Sequence, residues 1–156
     1  MPLPMITLSK YVLAFVLAVL VTAVLGSVFS TQFVLAALQD IGVDTPFPTR
    51  LWMTAQDFGI LTSMAVLVAA CFLVGFLVAG IGAWKIGGSR KLWFVAAGLS
   101  AFIIELLIIR STLELMPLSG ARTTAGLLAQ GIAGGVGGWI FAVITAGQPT
   151  RGGDAS

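Results

Sequence analysis

Apolar positions fall into four long runs. They are YVLAFVLAVLVTAVLGSVF at 11–29, FGILTSMAVLVAACFLVGFLVAGIGA at 58–83, LWFVAAGLSAFIIELLII at 92–109 and TTAGLLAQGIAGGVGGWIFAVITA at 123–146. A helix needs about 20 apolar residues to cross a hydrocarbon core of about 30 Å. An open sheet cannot cross at all, because its edges would carry unpaired backbone groups into lipid. The pattern predicts an all-α, integral membrane four-helix bundle formed by one domain over 1–147. A short polar tail, residues 148–156, is expected to be disordered. The first run is longer than the apolar core of a cleaved signal peptide, about 7–15 residues, and reads as a retained anchor.

The connections differ in length. Residues 30–57, STQFVLAALQDIGVDTPFPTRLWMTAQD, form the longest. Phe33, Ala36 and Ala37 share one helical face that Asp40 ends, so this part either extends the first helix or lies along the membrane surface. Gly42 and the group Pro46–Phe47–Pro48 then break the chain. Thr49 is placed to cap the helix that leads into the second run. Arg50, Thr54 and Asp57 would share one face of it.

Basic residues near the span ends set orientation, with the cytoplasmic side the richer. Lys10, Lys85, Arg90, Lys91 and Arg151 fall on one side, and Arg50, Arg110 and Arg122 on the other. Both termini are therefore expected in the cytoplasm, in a multi-pass protein of the bacterial inner (plasma) membrane. Trp84 and Trp93 flank the basic turn as interfacial aromatics would.

Composition supports the lipid setting. The chain of 156 residues is 58% hydrophobic and 9% charged, with mean hydropathy +1.08. A soluble domain would carry about 25% charged residues. The net charge of +2 comes from eight basic residues spread along the chain. That spread gives no nucleic-acid footprint, so the expected partners are the bilayer and a membrane protein or a second copy of the chain. There is no His and one Cys, Cys71. This excludes an imidazole metal ligand, a His general base and an intrachain disulfide, and no cofactor is expected. Cys71 itself reads as a small apolar filler.

One residue breaks the apolar pattern. Glu105 sits within SAFIIELLIIR, thirteen residues from the start of its run, or about 20 Å along the helix. An unpaired acid at such a depth costs about 2.5–3.5 kcal/mol on insertion scales, which implies a partner, a cavity or a proton. Phe94, Gly98, Ala101, Glu105, Ile108 and Thr112 would share a stripe whose small residues mark it as a packing face. In the fourth run, Gly131–Gly135 and Gly134–Gly138 are GxxxG pairs. Gly126, Gln130, Gly134 and Gly138 line one face, and Gln130 lies near the depth of Glu105. A Glu105–Gln130 hydrogen bond is the expectation. Thr22, Gly26, Ser27, Ser30, Thr31, Thr62 and Ser63 add small or polar groups to the same outer half. A polar pocket around Glu105, with Gln130, Thr22, Ser27 and Ser63, would open outward beneath residues 30–57. Hydroxyls bonded to their own helix and a purely structural acid form the opposing reading.

The outer STQF and RLWMTAQDFG segments, the helix ending in a basic turn and the Gly-rich last span together resemble small, uncharacterised four-helix inner-membrane proteins of bacteria. That resemblance spans most of the chain and implies no activity. The small multidrug exporters also have four helices and a membrane glutamate. Theirs lies in the first helix, however, and the first run here has none, so their function is not carried over. The chain has no Walker loop, HExxH, GxSxG or Cys pair. A non-enzymatic assembly, stability or regulatory component is the leading expectation. A small transporter or binding protein built around Glu105 is the alternative, and an enzyme on lipid-like substrates the third.

Orientation is testable by labelling. In a Cys71→Ala background, a membrane-impermeant thiol reagent should reach a cysteine at residue 44 and miss one at residue 88; the reverse pattern would invert the topology.

Overall fold

A computed structural model describes residues 5–40, 61–113 and 123–146, together with four isolated positions between 42 and 52. These residues form α1 (Met5–Asp40), α2 (Leu61–Lys85), α3 (Arg90–Leu113) and α4 (Thr124–Thr145). All four are long and apolar enough to cross a membrane. All six prolines lie outside them, so none of these four helices loses an internal backbone bond to a ring nitrogen in lipid.

The longest helix settles the alternatives at 30–40. That segment continues α1, whose 36 residues span about 54 Å, well beyond the apolar core. The capping role expected of Thr49, the Arg50–Thr54–Asp57 face and the tail 148–156 lie outside the described residues. A cap is present on α4: Thr123 takes an extended backbone, and its side chain accepts from the Gly126 N–H.

The helices alternate in direction. Gly87 and Gly88 adopt φ of 77° and 89°, left-handed values that let α2 turn into α3 within a few residues. The Trp93 indole N–H donates to the Gly87 carbonyl at 3.0 Å and fastens this turn. Arg90 then ties the start of α3 to the end of α4. It donates to the Thr145 carbonyl at 2.8 Å and to the Thr145 hydroxyl at 2.9 Å, where carbonyls at a helix end lack intrahelical partners. Lys10, Lys85, Arg90 and Lys91 thus share one end of the bundle, termed the basic end. The half nearest it is packed by rings: Phe76 stacks against Phe72, Phe94 and Phe141, and Tyr11 and Phe15 close the cluster from α1.

Around the bundle, α4 packs closely on α3 and on α1, α2 packs on α3, and α1 and α2 touch least. Glycines explain the close pairs. A Cβ on Gly134 would collide with the Gly98 carbonyl and one on Gly138 with the Phe94 carbonyl, so these backbones meet directly, as small residues permit in lipid. Gly137 turns toward α1, where a Cβ would strike the Thr22 hydroxyl and come within 2.9 Å of the Ala18 carbonyl. The other two glycines of the expected packing face behave differently. At Gly131 the added atom would meet only the tip of Ile103, and at Gly135 it would find ordinary contacts of 3.7 Å or more.

The glycines should separate by substitution. Gly134→Ala or Gly138→Ala forces backbone apart and should cost about 1–3 kcal/mol, the usual range for overpacking. Gly135→Ala should stay within about 0.5 kcal/mol, as for a substitution away from any special feature. Reversible unfolding in mixed detergent micelles measures both; equal losses at positions 134 and 135 would contradict the contact geometry.

Candidate functional site

The buried polar side chains gather in the half away from the basic end. Thr22, Ser27, Ser30, Thr31, Glu105 and Gln130 are all buried there. Their heights agree. Arg90 and Thr145 are bonded to each other, and Glu105 and Gln130 each lie fifteen residues further along their helices, about 22 Å. On α1, Gly26 faces Gln130, which places Ser27 in the same layer. Cys71 of α2 lies beside Glu105 and completes the ring of helices.

The bonds in this layer correct the sequence reading. Gln130 donates its amide N–H to the Gly26 carbonyl of α1 at 2.9 Å. No hydrogen bond joins it to Glu105: both carboxyl oxygens, the Gln130 Oε1 and the Ser27 Oγ are buried without a hydrogen-bond partner among the described residues. Helix geometry explains the miss. Relative to Gly134, which faces α3, Gln130 is turned about 40° in the same sense as Gly137, toward α1. Relative to Phe102, Glu105 is turned about 60° toward the side of Ala101, which packs on Gly75 of α2. Ile103, on the other flank, is the residue that meets α4 at Gly131. The two polar groups share a height but point to different neighbours.

The stripe expected around Glu105 is also shifted. Phe102 and Leu106 are fully buried, whereas Ile108 is 55% exposed. Phe102 crosses the bundle to fill the space beside Gly26.

Hydroxyls in the layer divide into bonded and unbonded. Thr22 donates to the Ala133 carbonyl of α4 at 3.3 Å, a cross-helix bond. Thr31 donates to the Ser27 carbonyl of its own helix at 3.0 Å. Ser27, only 7% exposed, is the one whose hydroxyl is left over. The side chains of Ser63 and Arg110 are outside the described set, as are Arg50, Asp57, Arg122 and most of the segment expected to roof the pocket, whose residues 30–40 instead continue α1. Among the described residues, no group of three or more Cys, Asp or Glu forms a metal-binding cluster. Sequence reasoning named Glu105, Gln130, Thr22 and Ser27. It placed Gly26 on the face of Thr22 but not as the partner of Gln130, whose amide the lack of a side chain there admits, and it missed Cys71 as the neighbour of Glu105. The i, i+4 spacing of Thr22 and Gly26 was the available clue to the first.

Chemically, the layer offers acceptors in excess. Two carboxyl oxygens, one amide oxygen and one hydroxyl lie in it without a partner in bonding geometry among the described residues, and the donors at hand are the weak Cys71 thiol beside Glu105 and the Ser27 O–H itself. Comparisons with family models, with curated proteins and with solved structures each return no match.

A double-mutant cycle tests this arrangement. Gln130→Met should cost about 0.6–1.7 kcal/mol, the range for cross-helix hydrogen bonds in membranes. With Glu105→Gln it should combine additively to within about 0.5 kcal/mol, since the two groups do not bond each other. A coupling well beyond that value would restore the direct Glu105–Gln130 bond.

Proposed function

We propose that the chain is a non-enzymatic protein of the bacterial inner membrane, with both termini cytoplasmic, that binds a small cation in its polar layer. The term includes a proton and a ligand's ammonium group. One observation carries this reading: both Glu105 carboxyl oxygens, the Gln130 Oε1 and the Ser27 Oγ are buried without a hydrogen-bond partner in bonding geometry among the described residues, and the group beside Glu105 is only the weak thiol donor of Cys71. Buried polar atoms are normally satisfied, and each exception calls for an explanation. An unpaired acid in the membrane is costly and is a functional candidate by default. A cation would supply what these oxygens lack. Glu105 would contribute the charge, with Gln130 Oε1 and Ser27 Oγ as further unpartnered oxygens at the same height.

The assembly or regulatory reading takes second place. It relied on the Gly-rich face of α4 to receive a partner, and Gly134, Gly137 and Gly138 are occupied by α3 and α1 of the same chain. What still favours it is a lipid-facing groove between α2 and α3, where Ala70, Gly75, Ala96, Ala97 and Ser100 leave room for another helix.

Thermal unfolding in detergent distinguishes the two. A ligand bound only to the folded state adds stability by mass action, about 2.7 kcal/mol at a hundred times its Kd. Sodium, potassium, lithium and methylammonium, each titrated at constant ionic strength, and acidification should include at least one condition that raises the melting temperature of the wild type. Glu105→Gln should abolish that response and still fold. If no condition stabilises the wild type, or if Glu105→Gln responds equally, the layer is structural.

A further inference from the structure

The loosest contact in the bundle lies between α1 and α2, and at the basic end it opens into a cleft of about 790 Å³. Its floor is aromatic: Phe76, Phe94 and Phe141, each less than a tenth exposed, belong to the ring cluster of the core. Its lips are the exposed Val12 of α1 and Leu77 and Ile81 of α2. At the mouth stand Tyr11 and Arg90.

Arg90 is held rather than free. Two of its N–H groups bond Thr145, and its guanidinium lies 5.2 Å over the Phe94 ring. A guanidinium has five N–H donors in a fixed fork, so three remain. Among the described residues no carboxylate pairs with it. The described acids, Asp40 and Glu105, both lie away from this end, which carries Lys10, Lys85 and Lys91 as well. The cleft therefore joins a positioned cation at interfacial height to an apolar slot that runs into the bundle from the lipid side. From Ile81 to Leu73 the α2 wall is eight residues, about 12 Å, enough for the first half of an acyl chain.

We infer that this cleft is a binding site for one anionic phospholipid from the leaflet at the basic end, its phosphate on the free N–H groups of Arg90 and one acyl chain between α1 and α2. Charge selects the class. Guanidinium groups suit phosphate through paired hydrogen bonds, and basic pockets between membrane helices bind anionic head groups. A zwitterionic lipid could fill the slot equally well but brings no net charge for Arg90, the cation that lines the cleft, to select. The site is separate from the polar layer, and its fate does not depend on the cation reading.

The test is lipid retention by the full chain, measured by native mass spectrometry after exchange into micelles doped with phosphatidylglycerol or phosphatidylcholine. Wild-type protein should retain one phosphatidylglycerol per chain, with a preference of about fivefold over phosphatidylcholine, the usual worth of one basic side chain at an anionic surface. Arg90→Gln should bring the preference close to one. That variant also loses bonds to Thr145, so a second one targets the slot. Gly80 lines the cleft, and a Cβ there would meet nothing within 4 Å. Gly80→Leu should fold as the wild type does and lose retention of both lipids. Equal retention of the two lipids by the wild type, or undiminished retention by folded Gly80→Leu, would overturn the assignment. Displacement of the lipid by inorganic phosphate in large excess would also overturn it, because the site would then be one for a free anion.

Discussion

The bundle depends on the direct meeting of two backbones, α3 at Gly98 and α4 at Gly134. In lipid the hydrophobic effect does not press helices together, so packing must come from close van der Waals contact and hydrogen bonds between them. A single methyl group at either glycine would meet a carbonyl or backbone atom of the other helix. The contact fixes the register of α3 against α4, and the consequences reach both ends. Below it, Gly138 meets Phe94 and carries the end of α4 to Arg90. Above it, Gln130 and Glu105 arrive at one height. The opposite flank of α4 repeats the device against α1 through Gly137, and Gly26 of α1 returns the favour to Gln130. Thus α4 is the most deeply set of the four helices, half buried along its span, and the others are arranged around it.

Two halves with different chemistry follow. Toward the basic end the interior is a cluster of rings, with Thr145 the buried polar side chain among the described residues there, tied to Arg90. Toward the other end it carries buried hydroxyls and an amide, and hydrogen bonds cross between helices, Gln130 to the Gly26 carbonyl at 2.9 Å and Thr22 to the Ala133 carbonyl at 3.3 Å. Aromatic rings hold helices farther apart than glycines do. The lateral cleft accordingly lies in the aromatic half, and the unsatisfied acceptors lie in the half where helices are close enough to shut water out. The cost of burying those oxygens is the counterpart of that close approach.

Much of the fold was legible in the chain because length and hydropathy alone define a membrane helix. The last three spans were placed to within about four residues, the first, read as 11–29, falls well inside α1 (Met5–Asp40), and the basic turn marked the end that Arg90 now organises. The GxxxG spacing announced the α3–α4 contact. What it could not give was rotation. Gln130 stands four residues from Gly134, and a reading by i, i+4 puts both on one face. A drift of about 40° between them is enough to send Gln130 to α1 instead. The same drift moved the buried stripe of α3 from Ala101 and Ile108 to Phe102 and Leu106. A hydrogen bond between two side chains requires both helices' rotations at once, so the Glu105–Gln130 pair was the inference most exposed to this error. The fate of residues 30–40 was open for a related reason: an amphipathic face of only three or four residues cannot distinguish a helix that continues from one that lies flat.

One helix connects the two sites. From the basic end, α1 supplies Tyr11 and Phe15 to the cleft, then Thr22, Gly26 and Ser27 to the polar layer. It is packed on α4 from Tyr11 to Gly26 and touches α2 only loosely. An acyl chain seated between α1 and α2 would brace this loosely packed seam among the described helices and so restrict the opening of α1 from α2 higher up, at the level of the polar layer. Contacts made by lipid in one half would then set how readily the acceptor layer in the other admits a small cation. A coupling of this kind needs no moving wire through the core. It needs only that the same rigid helix form one wall of both sites, and the continuous backbone of α1 from Met5 to Asp40 meets that requirement.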